Sequence, residues 1–220
     1  LSATADVIAL VALFAIASVS LLASCTAESP GEGADTNGSE ATAGNGSARY
    51  TTWRTYSGGA HASQYSALDQ IDKSNVNQLE VAWTFPAGDG TFVFNPIVVD
   101  GTMYVLARDN AIVALDAETG EERWAHPHEG PVSGRGINYW QSPDGTDRRL
   151  LYLNAGFLTA LNAQTGETIT TFGDNGRVDF RTALAAGGRD ITDVGPLHTS
   201  NPGRVFEDLM IVSLPAQGGG

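Results

Sequence analysis

The segment Ala114-Leu115-Asp116-Ala117-Glu118-Thr119-Gly120-Glu121 returns 46 positions later as Ala160-Leu161-Asn162-Ala163-Gln164-Thr165-Gly166-Glu167, and no other feature restricts the fold as strongly. In each copy an apolar run ends at an Asp or Asn whose side chain can bond nearby backbone. A Gly follows that can take the positive φ needed to reverse the chain. Each copy therefore reads as a corner between two strands. One four-stranded propeller blade occupies roughly 40 to 50 residues, so the repeat predicts an all-β ring of small successive sheets.

Turn signals allow the first blade to be drawn. Ile97-Val98-Val99, the Asp100-Gly101 turn, Thr102 to Leu106, Ala111 to Leu115 and Glu122-Arg123-Trp124 read as four short strands. In the second blade Arg149 to Leu153, Phe157 to Leu161 and Thr168 to Thr171 repeat the pattern, with Thr170 at the place of Trp124. Trp83, in Leu79 to Phe85, marks a further tryptophan-bearing strand whose blade partners belong to the far end of a closed ring. These tryptophans are expected to pack between blades. Asp144-Gly145-Thr146-Asp147 and Asp174-Asn175-Gly176 lack the regular acidic spacing of a calcium hand and read as hairpin turns.

Composition narrows the function classes. With 42% hydrophobic residues and 26 glycines, the chain can fill a core and still make many turns. A net charge of −13 repels nucleic acid and anionic membrane surfaces at long range, so neither is expected as the main partner. There is no phosphate-cradling glycine loop ahead of a helix and no Gly-x-Ser-x-Gly elbow. His126 and His128 share a strand face but lack a third ligand nearby, and read as loop histidines.

The amino-terminal region divides into residues 1–25, a leader, and 26–49, a tether, ahead of a folded part over 50–220. From Val7 to Ala23 the chain is apolar or small, and it ends in Leu22-Ala23-Ser24-Cys25. That ending resembles the lipobox of bacterial lipoproteins, in which the cysteine is lipidated. Cys25 is the single cysteine, so it has no disulfide partner within the chain, and lipidation gives it a role. A cleaved signal peptide and an uncleaved helix remain as alternatives, the 17-residue run lying at the short end of bilayer-spanning lengths. No Lys or Arg precedes the run, Asp6 does, and the chain opens on Leu1. The tether is rich in Gly, Ser, Ala and Thr and is expected to be disordered, with a reach of about 25–30 Å.

Trp53-Arg54-Thr55-Tyr56-Ser57-Gly58-Gly59, Tyr65 to Ile71, Asn75-Val76 through Trp83, and Asn95-Pro96 through Val105 resemble the opening of pyrroloquinoline quinone (PQQ) dependent alcohol and glucose dehydrogenases. The resemblance runs from Trp53 to the end of the chain. It implies an eight-bladed β-propeller with PQQ and Ca²⁺ near its axis, of which these residues are the first blades. In Ser133-Gly134-Arg135-Gly136-Ile137-Asn138-Tyr139 it implies that Arg135 hydrogen-bonds the quinone. A guanidinium suits that task, since it keeps its proton and forms charge-assisted bonds to oxygen anions. It also implies a cofactor contact for Thr199, in Thr199-Ser200-Asn201-Pro202.

Two positions depart from the family pattern. Glu129-Gly130 lies where some relatives carry a vicinal cysteine pair, which the glucose-type members also lack, and Val93 stands where relatives often have a cofactor-contacting Glu. The general-base Asp and the calcium ligands implied by the resemblance fall beyond Gly220, so the chain alone is expected to be inactive. Two functions follow as expectations. One is the amino-terminal portion of a periplasmic, membrane-tethered enzyme that oxidises an alcohol or sugar and passes electrons to ubiquinone or a cytochrome. The other is a non-enzymatic propeller lipoprotein similar to the scaffold subunit of the outer-membrane barrel assembly machine. Arg135 and the stretch from Trp53 to Ile71 favour the enzyme.

Overall fold

The computed structural model describes residues 7–10, 52–59, 62–87, 94–107, 110–188, 190, 197 and 199–213. Its strands are β1 (Val7–Leu10), β2 (Ile97–Val99), β3 (Thr102–Leu106), β4 (Ile112–Asp116), β5 (Glu122–His126), β6 (Asn138–Gln141), β7 (Arg148–Asn154), β8 (Phe157–Asn162), β9 (Arg177–Asp179), β10 (Arg204–Phe206) and β11 (Leu209–Ser213). One short α-helix, α1 (Phe180–Ala186), follows β9, with the Asp179 side chain accepting from the Arg181 N–H at its start. The strands form two four-stranded antiparallel sheets, β2-β3-β4-β5 and β6-β7-β8-β9, and a third ordered β1-β11-β10. Cys25 and the tether lie outside the described residues, and Val7–Leu10 of the predicted leader pairs with β11, from Val7 opposite Ser213 to Leu10 opposite Met210. No helix among the described residues is long and apolar enough to cross a membrane.

The first sheet follows the sequence reading strand for strand. At its first turn Asp100 (φ 48°) and Gly101 (φ 73°) both take the left-handed conformation that matches hairpin twist. The repeated corner is the same twice over. Asp116 Oδ1 accepts from the N–H groups of Glu118 and Thr119, both at 3.0 Å, and Asn162 Oδ1 accepts from Gln164 and Thr165 at 2.8 and 3.1 Å. Gly120 and Gly166 close the loops at φ 75° and 74°. Asp144 and Asp174 also sit in turns: Asp174 exchanges backbone bonds with Arg177 across Asn175-Gly176.

The second sheet corrects one boundary and adds one strand. The predicted edge strand Thr168–Thr171 makes only a single bridge, Thr168 to Leu161, with Ile169 N–H donating to Ala160. The ladder resumes at β9, which pairs with Phe157 to Thr159. Phe172 is buried, and its inward turn takes the chain off the sheet edge between the two pieces. β6 was not foreseen as a strand, because Asn138-Tyr139-Trp140-Gln141 lacks an aliphatic run.

Both faces of each four-stranded sheet carry a buried layer, which explains the unbroken apolar runs of β4 and β7. Ile112 and Ala114 of β4 face the layer shared with the second sheet, while Val113 and Leu115 face a layer with Trp83 and Phe85. Leu150 and Tyr152 of β7 join the first of these layers, and Leu151 and Leu153 pack with Met210 and Val212 of β11.

Tryptophans lock one repeat to the next, as the sequence predicts. The Trp83 ring lies on Gly120 and its Nε1 donates to the Ala117 carbonyl at 3.3 Å. Trp124 lies on Gly166 and donates to Ala163 at 3.2 Å. Tyr104 donates to the same Ala163 oxygen at 3.1 Å, and burial pushes its hydroxyl pKa up to about 12. A Cβ on Gly166 would stand 2.6 Å from the Trp124 ring, a distance a side chain cannot tolerate.

Two stability predictions follow from these corners. Gly166→Ala should cost about 2–4 kcal/mol in denaturant unfolding of the full-length protein, combining left-handed strain with overpacking. Gly101→Ala, whose Cβ meets nothing within 4 Å, should cost about 1 kcal/mol; equal losses at the two sites would refute the docking account. Asp116 is held at a pKa of about 2, first by the Arg123 guanidinium and then by the Thr119 and Glu118 N–H groups. Its stabilising effect is full above the ordinary carboxylate value and is lost as pH falls toward about 2. Asp116→Asn keeps the loop bonds that Asn162 makes, so its thermal midpoint should fall less steeply with acid than that of the parent.

Candidate functional site

Counted from the folded part onward, the first strands of the three sheets are β2, β6 and β10, and the loops that lead into them come together. They are Asn95-Pro96 before β2, Ser133 to Ile137 before β6, and Thr199 to Gly203 before β10. Asn95 donates to the Arg135 carbonyl twice, from its backbone N–H at 3.4 Å and from Nδ2 at 3.2 Å. Gly136 takes φ +146°, and a Cβ there would stand 3.4 Å from the Asn95 carbonyl and 3.6 Å from the Tyr56 ring. Both are ordinary contact distances, so it is the positive φ, and not a lack of space, that favours glycine at this point.

The second and third loops are tied more tightly. Ser133 Oγ donates to the Ser200 carbonyl at 2.7 Å and Asn138 Nδ2 to the Pro202 carbonyl at 2.6 Å. Both side chains are buried, so each bond also satisfies a polar group that would otherwise be costly. Arg204 Nη1 donates to the Gly59 carbonyl at 2.6 Å, and Val98 N–H donates to Trp53 at 2.9 Å. The stretch Trp53 to Gly59 therefore lies along all three first strands. Ser57, buried at φ 60°, and Gly58, at φ 78°, turn it there.

The two cofactor contacts implied by the sequence fall on these loops. The Arg135 side chain is exposed and makes no ion pair among the described residues; its Nη1 lies 3.5 Å from Asn201 Oδ1. Thr199 Oγ1 accepts from the Asn201 N–H at 3.1 Å. Arg135 and Thr199, from different sheets, thus share one intermediary. Between Tyr56 and the β10-β11 pair lies an open cavity of about 320 Å³ with Asn201, Arg204 and Ser213 in its wall. Neither Arg135 nor Thr199 lines this cavity, Thr199 bordering a separate space of about 10 Å³; it is by chemistry, a cation and a hydroxyl on adjoining loops, that the two suit a carboxylate-bearing quinone.

The remaining motif residues do other work. Tyr139 is buried in the layer between the first and second sheets, its hydroxyl 3.1 Å from Gln141 Oε1 and its pKa raised by burial. Arg54 stands over its ring and bonds Asp100 at 2.7 Å, with Arg148 on the other Asp100 oxygen at 3.3 Å. Glu129 is exposed, and its carbonyl accepts from Asn154 Nδ2 at 3.0 Å. Val93 lies outside the described residues. His126 ends β5 and His128 lies just beyond; burial lowers both pKa values. No group of three or more His, Cys, Asp or Glu placed to hold a metal ion occurs among the described residues.

Asn95, Ser133 and Asn201 were missed in the sequence. A signal was present: Asn-Pro occurs at both Asn95-Pro96 and Asn201-Pro202, each time just ahead of a first strand.

Residues 53–218 match the family model described as "PQQ: Glucose/ethanol/alcohol dehydrogenase, beta-propeller domain". The quinoprotein glucose dehydrogenase of Gluconobacter oxydans is 26% identical over 190 residues, covering 73% of this chain and 23% of the relative. Subunit 1 of the methanol dehydrogenase (cytochrome c) of Methylobacterium organophilum is 36% identical over 126 residues, 49% of this chain and 20% of the relative. The crystal structure of the quinohemoprotein alcohol dehydrogenase from Comamonas testosteroni matches with a TM-score of 0.47 at 30% identity, over 55% of this chain and 19% of that one. The chain thus spans about a quarter of the length of the first of these relatives and a fifth of the second. With three quarters of its residues inside the family model, the chain belongs to the PQQ-dependent glucose/ethanol/alcohol dehydrogenase family and carries blades of its β-propeller.

Proposed function

We propose that the chain is the amino-terminal part of an exported, membrane-tethered dehydrogenase that oxidises the CH–OH group of an alcohol or sugar. Electrons would leave for ubiquinone or a cytochrome, and the tether would be a lipid on Cys25. The observation that carries this reading is the exposed guanidinium of Arg135, without an ion pair among the described residues, linked to Thr199 through Asn201 where three first-strand loops meet.

The residues present fit PQQ. Arg135 would hold a quinone or carboxylate oxygen through charge-assisted bonds, and Thr199 would donate its hydroxyl proton to the cofactor. Bound PQQ supplies a two-electron acceptor for substrate hydride. The guanidinium, which keeps its proton, would stabilise negative charge on a bound quinone oxygen. Asn95 fixes the Arg135 backbone, and the Ser133 and Asn138 bonds fix the loop bearing Thr199, so both contacts are set before the cofactor arrives. Calcium ligands and the general-base Asp would come from residues beyond Gly220.

Arg135→Ala in the full-length protein should weaken PQQ binding about 10- to 100-fold in an equilibrium titration, the worth of a hydrogen bond to a charged group. Arg135→Lys should recover little of it, because an ammonium lacks the planar fork. Unchanged affinity in Arg135→Ala would remove Arg135 from the site.

A further inference from the structure

Among the described residues Asn201 touches both candidate contacts, and its own geometry is fixed from several sides. Its N–H donates to Thr199 Oγ1 at 3.1 Å, its Oδ1 faces Arg135 Nη1 at 3.5 Å, and its Nδ2 donates to Ser213 Oγ of β11 at 3.3 Å. Pro202 follows it, and a residue ahead of proline is confined to extended backbone. The loop is further pinned at Ser200 by Ser133 and at Pro202 by Asn138, both through carbonyl oxygens.

We infer that Asn201 is a positioning residue that aims the Arg135 guanidinium and couples it to Thr199 across the seam between the second and third sheets. This rests on the reading of Arg135 and Thr199 as PQQ contacts. An arginine side chain has four rotatable bonds and about 2 kcal/mol of rotamer entropy, so an exposed one with no anchor samples many positions. One fixed acceptor removes part of that freedom before the cofactor binds. An amide is the suitable acceptor. A carboxylate at the same place would hold the guanidinium harder, but it would cancel the positive charge and set a negative charge beside an anionic cofactor. The neutral Oδ1 orients the cation and leaves its charge available.

The test uses the full-length protein with Asn201→Ala and the near-isosteric Asn201→Asp, both checked for parental circular dichroism and thermal midpoint. PQQ affinity is measured by fluorescence titration across pH, together with the absorption spectrum of the bound quinone. Asn201→Ala should weaken binding about 5- to 20-fold and shift the bound spectrum, the loss of one neutral acceptor to a charged donor. Asn201→Asp should bind more weakly than Asn201→Ala at neutral pH and regain affinity as the new carboxyl is protonated. The parent should lack that pH dependence. A purely structural role would leave the pH profile and the spectrum unmoved. The inference is overturned if both variants bind PQQ within twofold of the parent while Arg135→Ala does not. If Arg135→Ala also binds normally, it is the assignment of the cofactor contacts that fails.

Discussion

Everything else in the molecule depends on a tryptophan ring lying flat on a glycine of the neighbouring repeat. A four-stranded sheet of this size cannot shield its own faces, so its stability comes from the sheet beside it. The ring on Gly166 fills that interface, and the indole N–H also binds the Ala163 carbonyl within the same corner. Ring contact and hydrogen bond both require the corner to hold one shape. That accounts for why Asp116 and Asn162, chemically different, make the same pair of backbone bonds. The repeated motif is the receptor for the tryptophan as much as a turn between strands.

The same logic gives Leu79 to Phe85 its place. Trp83 docks on Gly120 and Phe85 joins it against the first sheet, yet the segment joins no sheet among the described residues. It keeps the side-chain contacts of an outer strand without the ladder. Val81, 79% exposed, presents apolar surface there that an isolated blade would not need.

Legibility in the sequence followed the physics of each element. The first sheet could be drawn because its strands alternate between two apolar layers and its turns carry Asp, Gly and Thr. β6 could not, since Asn138 and Gln141 are in it for inter-sheet and side-chain bonds. The outer edge of the second sheet slipped because Phe172 drives the chain inward between Thr168 and β9. Of the candidate site, Arg135 and Thr199 were named through the family resemblance, which no local pattern could replace. Asn201 and Ser133 were not, because their importance lies in pairings 66 and 67 residues distant in the chain. The trace that Asn201 left was the repeated Asn-Pro step, and Ser133 left none.

The seam between the second and third sheets has a mechanical meaning. Each sheet is internally held by a continuous ladder, while the two are joined by side chains and a handful of hydrogen bonds. A small change in tilt between them would leave every ladder intact and still alter the distance from Arg135 to Thr199. The pair therefore works as a caliper: its opening records the angle between two blades, and a ligand that grips both jaws stiffens the ring at that joint.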